Sequence, residues 1–182
     1  VFVAQWPADA PAVDDATYRR VCDFYYDEAD LLASRQYLQW FALLAPDVSY
    51  TVAFPEFFEH GTRRKTGIGI GNPYFDDNHA SLKIRVELLA DPLKTTAENP
   101  PSVFNYFVTN IRVRKAADEA DALDADTRLL LYRVRATEPT PYILGARRRD
   151  RLRITPEGLR LARREASMDQ SIVQSPNMSW LF

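Results

Sequence analysis

The sequence predicts an α+β fold in which helices come first and a mostly antiparallel sheet follows. Apolar residues repeat every three or four positions in much of the first half of the chain, as on one face of a helix. In most of the second half they alternate every second position, as in strands. Helices followed by a run of strands favour an α+β fold. We expect a strongly curved sheet wrapped around the N-terminal helices, in a single domain spanning residues 1–182.

Two helices are predicted before residue 47, after an extended arm at residues 1–14. Asp14 and Asp15 are suitable N-caps for the first helix, because a short carboxylate accepts hydrogen bonds from the free N–H groups of a first turn. The apolar face of this helix consists of Tyr18, Val21, Cys22, Tyr25, Ala29 and Leu32. The second helix carries Tyr37, Trp40, Phe41 and Leu44. Pro46 is expected to end it, since proline disfavours helical conformation in the residue before it.

The middle of the chain predicts one strand and a third helix. Residues 48–54 alternate between apolar and small polar side chains, as a strand does. Residues 55–73 contain four glycines and are expected to be irregular. A third helix is favoured over a strand by its length and by three candidate caps, Asp76, Asp77 and Asn78. Its apolar residues are Leu82, Val86 and Leu89.

The second half predicts an antiparallel sheet. Strands are expected at residues 103–114, 127–137, 142–154 and 159–168. Within the second of these, Leu130, Tyr132 and Val134 are expected on one face, and Arg133 and Arg135 on the other. Residues 115–126 are rich in Ala, Asp and Glu, and are expected to form a solvated acidic loop.

The charge and cysteine content exclude several classes of protein. The 23 basic and 25 acidic residues give a formal net charge of −2, which offers no general attraction to nucleic acid or to an anionic membrane. The single cysteine, Cys22, cannot form an intrachain disulfide, which fits a reducing cytoplasm. No stretch approaches the roughly 20 apolar residues needed to cross a bilayer. We expect a cytoplasmic protein without nucleic-acid or membrane partners.

The chain has few side chains that bind iron. A Rieske [2Fe–2S] cluster requires two cysteines and two histidines, whereas the chain has one cysteine. A mononuclear iron site requires two histidines and a carboxylate, and His60 and His79 show no recognisable spacing with one. We expect no metal and no cofactor in this chain.

One constellation suits a standalone enzyme. Asp76, Asp77 and His79, with Tyr50, are candidate acid–base residues, because a carboxylate whose pKa is raised by burial can act as a general base. Capping of the third helix by Asp77 or Asn78 is the structural alternative, and it ranks higher. A dehydratase or isomerase is therefore the alternative function. A small-ligand binding protein would require an open cavity inside the cone.

The end of the chain is basic and then apolar. A dense run of arginines comprises Arg147, Arg148, Arg149, Arg151 and Arg153. On a strand, these side chains alternate between faces. Pairing with Asp and Glu, on a solvated face or between subunits, is favoured over nucleic-acid binding. The last residues, Trp180, Leu181 and Phe182, are expected to be docked, either within the domain or against another subunit.

Several segments, taken in order, resemble the small (β) subunits of bacterial aromatic-ring-hydroxylating dioxygenases. They are residues 24–32, 37–41, 44–50, 74–82, 100–102, 108–113, 147–153 and 161–164, with the Leu181-Phe182 end. The similarity covers nearly the whole chain. The sequence departs from that family at Ala146, where glycine is usual. It departs again at residues 104–106, where basic residues or histidine are frequent.

The resemblance implies a cone-like fold shared with nuclear-transport-factor-like and cystatin-like domains. It also implies assembly with a large α subunit, typically as three α and three β chains. In that family the α subunit carries a Rieske [2Fe–2S] cluster and mononuclear Fe(II), and a ferredoxin and an NADH-dependent reductase supply electrons for cis-dihydroxylation of an aromatic compound. This chain is then expected to be a structural subunit without catalytic residues. The interface candidates, with other β subunits or with α, are Arg147, Arg148, Arg149, Arg151, Asp169, Gln170, Trp180 and Phe182.

Overall fold

The computed structural model of the chain describes most of residues 11–182. The residues outside the description are 1–10, 59–66, 92, 95, 97, 136, 137, 139 and 176, so His60 and most of the predicted arm lie outside it. The described helices are α1 (Asp15–Ala33), α2 (Tyr37–Phe41) and α3 (His79–Ala90). The described strands are β1 (Leu44–Phe58), β2 (Gly67–Asn78), β3 (Ser102–Lys115), β4 (Ala122–Arg135), β5 (Tyr142–Thr155) and β6 (Gly158–Met168).

The described strands form one curved, open sheet in the order β2-β1-β6-β5-β4-β3. Every neighbouring pair is antiparallel except β1 and β6, which run parallel. Apolar side chains of α1, such as Val21 and Leu32, share one buried core with the inner residues of the sheet, such as Leu131 and Leu161. This arrangement confirms the predicted α+β fold with helices against a curved sheet. None of the described helices has the length and apolar character needed to span a membrane.

Both long helices begin at the caps that the sequence indicates. The Asp14 carboxylate accepts a 2.7 Å hydrogen bond from the N–H of Thr17 at the start of α1. That bond lowers the pKa of Asp14. Asn78 caps α3 by accepting a 3.0 Å bond from Ser81 N–H, and the Ser81 hydroxyl accepts one from Asn78 N–H in return. The third helix is therefore confirmed, with Asn78 as its cap.

The predicted start of β1 was wrong, and β2 was not predicted. Leu44, expected on the second helix, begins β1, and Pro46 lies inside that strand. A proline fits there because the pairing of β1 with β6 is interrupted between Leu44 and Ser49. Residues 67–73, expected to be irregular, form the first part of β2, opposite β1. The hydrogen bonds of residues 67–73 come from pairing with β1. The residue pattern within this stretch therefore does not by itself indicate a strand.

The prediction for the acidic loop was partly wrong. Ala122, Leu123 and Ala125 are buried in β4, where they pair with β5. Only residues 116–121 connect β3 to β4.

The side chains of β4 divide between two faces as predicted, and the face that carries Arg133 is the inner one. Leu130 is 44% exposed, whereas the side chain of Arg133 is completely buried. Leu129 and Leu131 share the inner face with Arg133. The alternation of polar and apolar residues assigns arginine to the outside of a sheet. It carries no information about the ion-pair partner that Arg133 has in the interior.

Candidate functional site

Four charged side chains meet inside the cone. Glu28 comes from α1, Arg148 and Asp150 from the inner face of β5, and Arg164 from β6, and each is at most 1% exposed. Arg164 pairs with Glu28 at 2.7 Å and with Asp150 at 2.6 Å. Arg148 pairs with the second oxygen of Glu28 at 3.0 Å. The two positive and two negative charges therefore balance within the interior.

Neutral side chains complete this buried ion network. The Tyr25 hydroxyl donates to Asp150 at 2.9 Å, and the Trp40 indole N–H donates to Glu28 at 3.2 Å. Burial by itself raises the pKa of Glu28, but the guanidinium groups of Arg164 and Arg148 outweigh burial, so the pKa lies below its ordinary value. Burial, followed by the charge of Asp150, raises the pKa of Tyr25 well above its ordinary value. Near neutral pH, Glu28 is thus ionised and Tyr25 is protonated, so neither exchanges a proton in that range.

The C-terminal segment fills the cone next to this network. Trp180, Leu181 and Phe182 are 1%, 2% and 1% exposed. The Tyr50 hydroxyl donates to the main-chain oxygen of Phe182 at 2.9 Å and accepts from its N–H at 2.6 Å, and Arg164 donates to the same oxygen. Docking within the domain thus accounts for the burial of these side chains. As predicted interface residues, Trp180 and Phe182 offer almost no exposed side-chain surface to a partner.

A second buried ion pair, between Arg133 and Glu98, also holds the C-terminal segment. Arg133 donates to Glu98 at 2.7 Å and to the Ser102 hydroxyl at 2.9 Å. It also donates to the Ser175 hydroxyl at 2.6 Å, and its guanidinium lies 5.3 Å from the ring centroid of Trp180. Arg133 therefore links β4, the chain before β3 and the C-terminal segment.

The four residues proposed for a standalone acid–base enzyme do not lie together. Asp77 pairs with Tyr50 in the β1–β2 register, so both lie on one face of the sheet, whereas Asp76 lies on the other face. The Tyr50 hydroxyl is engaged by Phe182, and burial raises its pKa to about 12. Asp77 forms a 2.9 Å ion pair with Arg85 of α3.

His79 is also placed apart from that set. Its ring packs against Phe41, with 4.5 Å between the ring centroids. The four candidates thus do not converge on one cavity. Among the described residues, no three His, Cys, Asp or Glu side chains come together as a metal site.

The arginine run divides between the two faces of β5. Arg148 points inward, which explains why it is buried rather than available as a predicted interface residue. Arg151 pairs with Asp124 at 2.9 Å and Asp118 at 2.8 Å, and these hydrogen bonds raise its pKa. Arg153 pairs with Asp47 at 2.8 Å. Pairing with acidic side chains, as predicted for this run, therefore occurs within the chain.

Arg147 lies on the outer face, directly opposite Arg128 of β4. Burial and the charge of Arg128 lower the pKa of Arg147. No carboxylate of the described residues forms an ion pair with Arg147, although Asp126 and Asp169 are near enough to attract it. Arg147 is thus a cation with incomplete local compensation.

Asp169 and Gln170, which follow β6, form hydrogen bonds with residues near the start of β5. Asp169 N–H donates to the Gly145 oxygen at 2.9 Å, and the Gln170 amide accepts from Gly145 N–H at 3.2 Å and donates to the Ile143 oxygen at 2.9 Å. A Cβ at position 145 would overlap Oδ2 of Asp169 and lie 3.2 Å from its Cγ. An added Cβ at position 145 would therefore displace the Asp169 carboxylate from its place.

The buried ion network was missed by reasoning from the sequence. One signal was present, because Glu28 lies at helical spacing within the apolar face of α1, between Tyr25 and Leu32. The charged partners of Glu28, Arg148 and Arg164, lie more than 100 residues away in the chain. Their encounter is a property of the folded sheet.

Comparison with known proteins identifies the family. A family model described as the ring hydroxylating beta subunit matches residues 27–175. The chain belongs to this family of ring-hydroxylating β subunits. The β subunit of chlorobenzene dioxygenase from Cupriavidus sp. (strain PS12) is 31% identical over 162 residues, which cover 87% of this chain and 85% of the relative. The β subunit of benzene 1,2-dioxygenase from Pseudomonas putida is 29% identical over 161 residues, with the same coverage of both chains.

The fold of this β subunit is also found among solved structures. A chain of naphthalene 1,2-dioxygenase superposes with a TM-score of 0.82 at 22% sequence identity, covering 94% of this chain and 88% of that one. The match confirms the cone-like fold that the resemblance implied. Together with the family match, the curated relatives confirm the predicted family and favour a dioxygenase subunit over the standalone enzyme.

Proposed function

We propose that this β subunit is a noncatalytic, structural component of a cytoplasmic terminal oxygenase with three α and three β chains. The large α subunit would carry the Rieske [2Fe–2S] cluster and mononuclear Fe(II), and would hydroxylate an aromatic compound with electrons from NADH through a reductase and a ferredoxin. One observation supports the noncatalytic role most directly. The cone interior, where an enzyme of this shape would need an accessible site, is filled by the buried ion network and the C-terminal segment.

Among the residues that the structure describes, the donor atoms do not fit either iron centre. The Rieske cluster needs two thiolates and two imidazoles, and the single cysteine, Cys22, is buried on α1. His79 packs against Phe41 rather than beside a carboxylate pair. No redox step is therefore assigned to this chain.

A structural role fits what the described residues do. The buried charges connect α1 to β5 and β6, so one network fixes the helix against the sheet. Such a network favours one arrangement of the core, because moving the helix would leave buried charges without partners. The outer face then presents Arg147 and Arg149 to a partner, with Asp169 and Gln170 beside the start of β5.

Copurification with the α subunit tests this proposal. This chain, tagged and expressed at native level in its host, should bring down a red-brown, iron-containing protein of large-subunit size. The chain alone should be colourless and without turnover, and activity should return when α is added. Turnover by the isolated chain, or a colourless homo-oligomer without any partner, would overturn the proposal.

The alternative enzyme can be separated by two substitutions in the same preparation. His79→Ala and Tyr50→Phe should leave the turnover of the assembled oxygenase unchanged if the chain is noncatalytic. Loss of turnover in His79→Ala with normal assembly would instead support a chemical role for this chain.

A further inference from the structure

The outer face of the sheet carries apolar side chains where a solvated face is normally polar. Val103 and Phe107 of β3, Leu130 of β4 and Ile143 of β5 are 62%, 52%, 44% and 53% exposed. Phe107 lies directly opposite Leu130, and Leu130 lies opposite Gly145, which has no side chain to cover it. These four side chains, which we call the outer-face patch, thus share one face of three neighbouring strands. Exposed apolar surface of this kind usually marks an interface.

Positive charge borders the outer-face patch. Arg128 lies two residues before Leu130 on β4, so it shares the same face, and it lies directly opposite Arg147 of β5. Like charges directly opposite each other in a sheet are destabilising. Arg128 forms a 2.7 Å ion pair with Asp126, yet the charge of Arg128 affects the pKa of Arg147 more than the charge of Asp126 does. An excess of positive charge therefore lies beside exposed apolar and aromatic side chains, a combination typical of interfaces.

The exposed side of α1 has the complementary character. Asp23, Tyr26, Asp27 and Asp30 lie at helical spacing on one side of α1, and all four are exposed, Tyr26 by 51%. Arg20 lines a cleft with Asp23 and Asp27 at one end of this acidic stripe. At the other end, the last turn of α1 contains Asp30 and no basic residue, although the C-terminal end of a helix is itself negative. The stripe therefore lacks a cation where its position favours one.

We propose that the acidic stripe of α1 in one copy of this chain docks on the outer-face patch of a second copy. Tyr26 packs on the apolar side chains of the patch, and Asp27 and Asp30 approach Arg128. Each surface then meets the charge that its own chain leaves incompletely compensated. A two-fold pairing of the patch with itself is disfavoured, because it brings Arg128 and Arg147 of both copies together.

The proposed contact is head to tail, because the two surfaces lie on different parts of the chain. Repetition of such a contact gives a ring when the rotation closes. A ring of three fits the three β chains of the proposed oxygenase, and for that number the inference rests on the proposed function. Arg128, toward β3, is assigned to the second copy. Arg147 lies on the side of Asp169, whose charge acts on it, and is left to the α subunit.

Charge exchange in the full-length chain tests the proposal. Sedimentation equilibrium should show that the wild-type chain forms a trimer. Asp27→Arg combined with Asp30→Arg should weaken self-association about tenfold or more, because like charges then meet across the contact. Arg128→Glu should weaken it for the same reason. The chain that carries all three substitutions should recover most of the wild-type association, since its two surfaces again have opposite charges.

Two variants on α3 are matched controls. Glu87→Arg makes the same change of charge as Asp27→Arg, on a side chain that is also exposed, and should leave self-association unchanged. Phe107→Asp should weaken self-association, whereas Ile84→Asp, at a position that is 63% exposed, should not. The comparison of Phe107 with Ile84 decides the matter if Arg128→Glu folds poorly, since only Arg128 has an ion-pair partner within the chain.

A monomeric wild-type chain would overturn the contact, and so would equal self-association of the Phe107→Asp and Ile84→Asp chains. If Phe107→Asp instead loses the α subunit while the β chains stay together, the partner on this surface is α and the inference fails. Copurification of α with the wild-type chain is a separate measurement. Its failure would overturn the proposed function and leave the self-association results standing, so the two proposals fail separately.

Discussion

Glu28 Oε1 accepts a 2.7 Å hydrogen bond from Nη1 of Arg164, and both side chains are almost completely removed from solvent. The other oxygen of Glu28 binds Arg148, so one carboxylate compensates two buried guanidinium groups. Removing either the carboxylate or one of the guanidinium groups should therefore destabilise the fold, because a buried charge without its partner is costly.

Glu28→Gln should destabilise the chain by about 3–5 kcal/mol, because it leaves Arg148 and Arg164 with incomplete compensation. Urea unfolding followed by circular dichroism measures this change. Glu87→Gln is the matched control, since Glu87 pairs with Lys83 on the exposed face of α3 and should cost less than about 1 kcal/mol. Equal costs for the two variants would contradict a central role for Glu28.

Acid should remove the contribution of Glu28. The folded pKa of Glu28 lies below its ordinary value of 4.5, because Arg164 and Arg148 outweigh the effect of burial. The ionised form therefore stabilises the fold at pH values above 4.5, and this contribution is lost as the pH falls through the folded pKa. The Tm difference between the wild type and Glu28→Gln should shrink below pH 4.5. A difference that stays constant from pH 7 to pH 3 would contradict the assignment.

Gly145→Ala should destabilise the chain by about 1 kcal/mol, because the added Cβ would displace the Asp169 carboxylate. Asp169→Ala in the same chain should restore most of the lost Tm, since it removes the overlapping atoms. Asp169→Ala alone provides the reference for the double variant. If the double variant is no more stable than Gly145→Ala, the steric explanation is wrong.

Arg147→Glu should weaken association with the α subunit by about tenfold or more, because it reverses the charge of an outer-face cation whose local compensation is incomplete. The Tm of the isolated chain should change little, since the new carboxylate faces Arg128. Lys83→Glu makes the same charge change on α3 and should leave association unchanged. The ratio of α to β recovered from a tagged α subunit is the readout, and equal recovery for both variants would remove Arg147 from the interface.

Local residue patterns were sufficient for the helices and for most of the sheet. Asp14 and Asn78 accept the capping bonds that their side chains indicate, and α1 buries the apolar face that its spacing predicts except for Tyr18, which is 42% exposed. Four strands in the second half lie close to their predicted positions. Caps and periodicity depend on neighbours within a few residues, so they can be read from the sequence.

By itself, the sequence determined the fold class, the family resemblance and the shortage of iron ligands. The tertiary structure alone decided which arginines are inside. Arg133, Arg148 and Arg164 look no different in sequence from Arg151 and Arg153, yet the first three are buried and the other two pair at the surface. It also decided that Trp180 and Phe182 fill the cone of their own chain. The physical reason is that a buried charge or a docked end depends on partners brought from distant strands, and their proximity exists only after the sheet has folded.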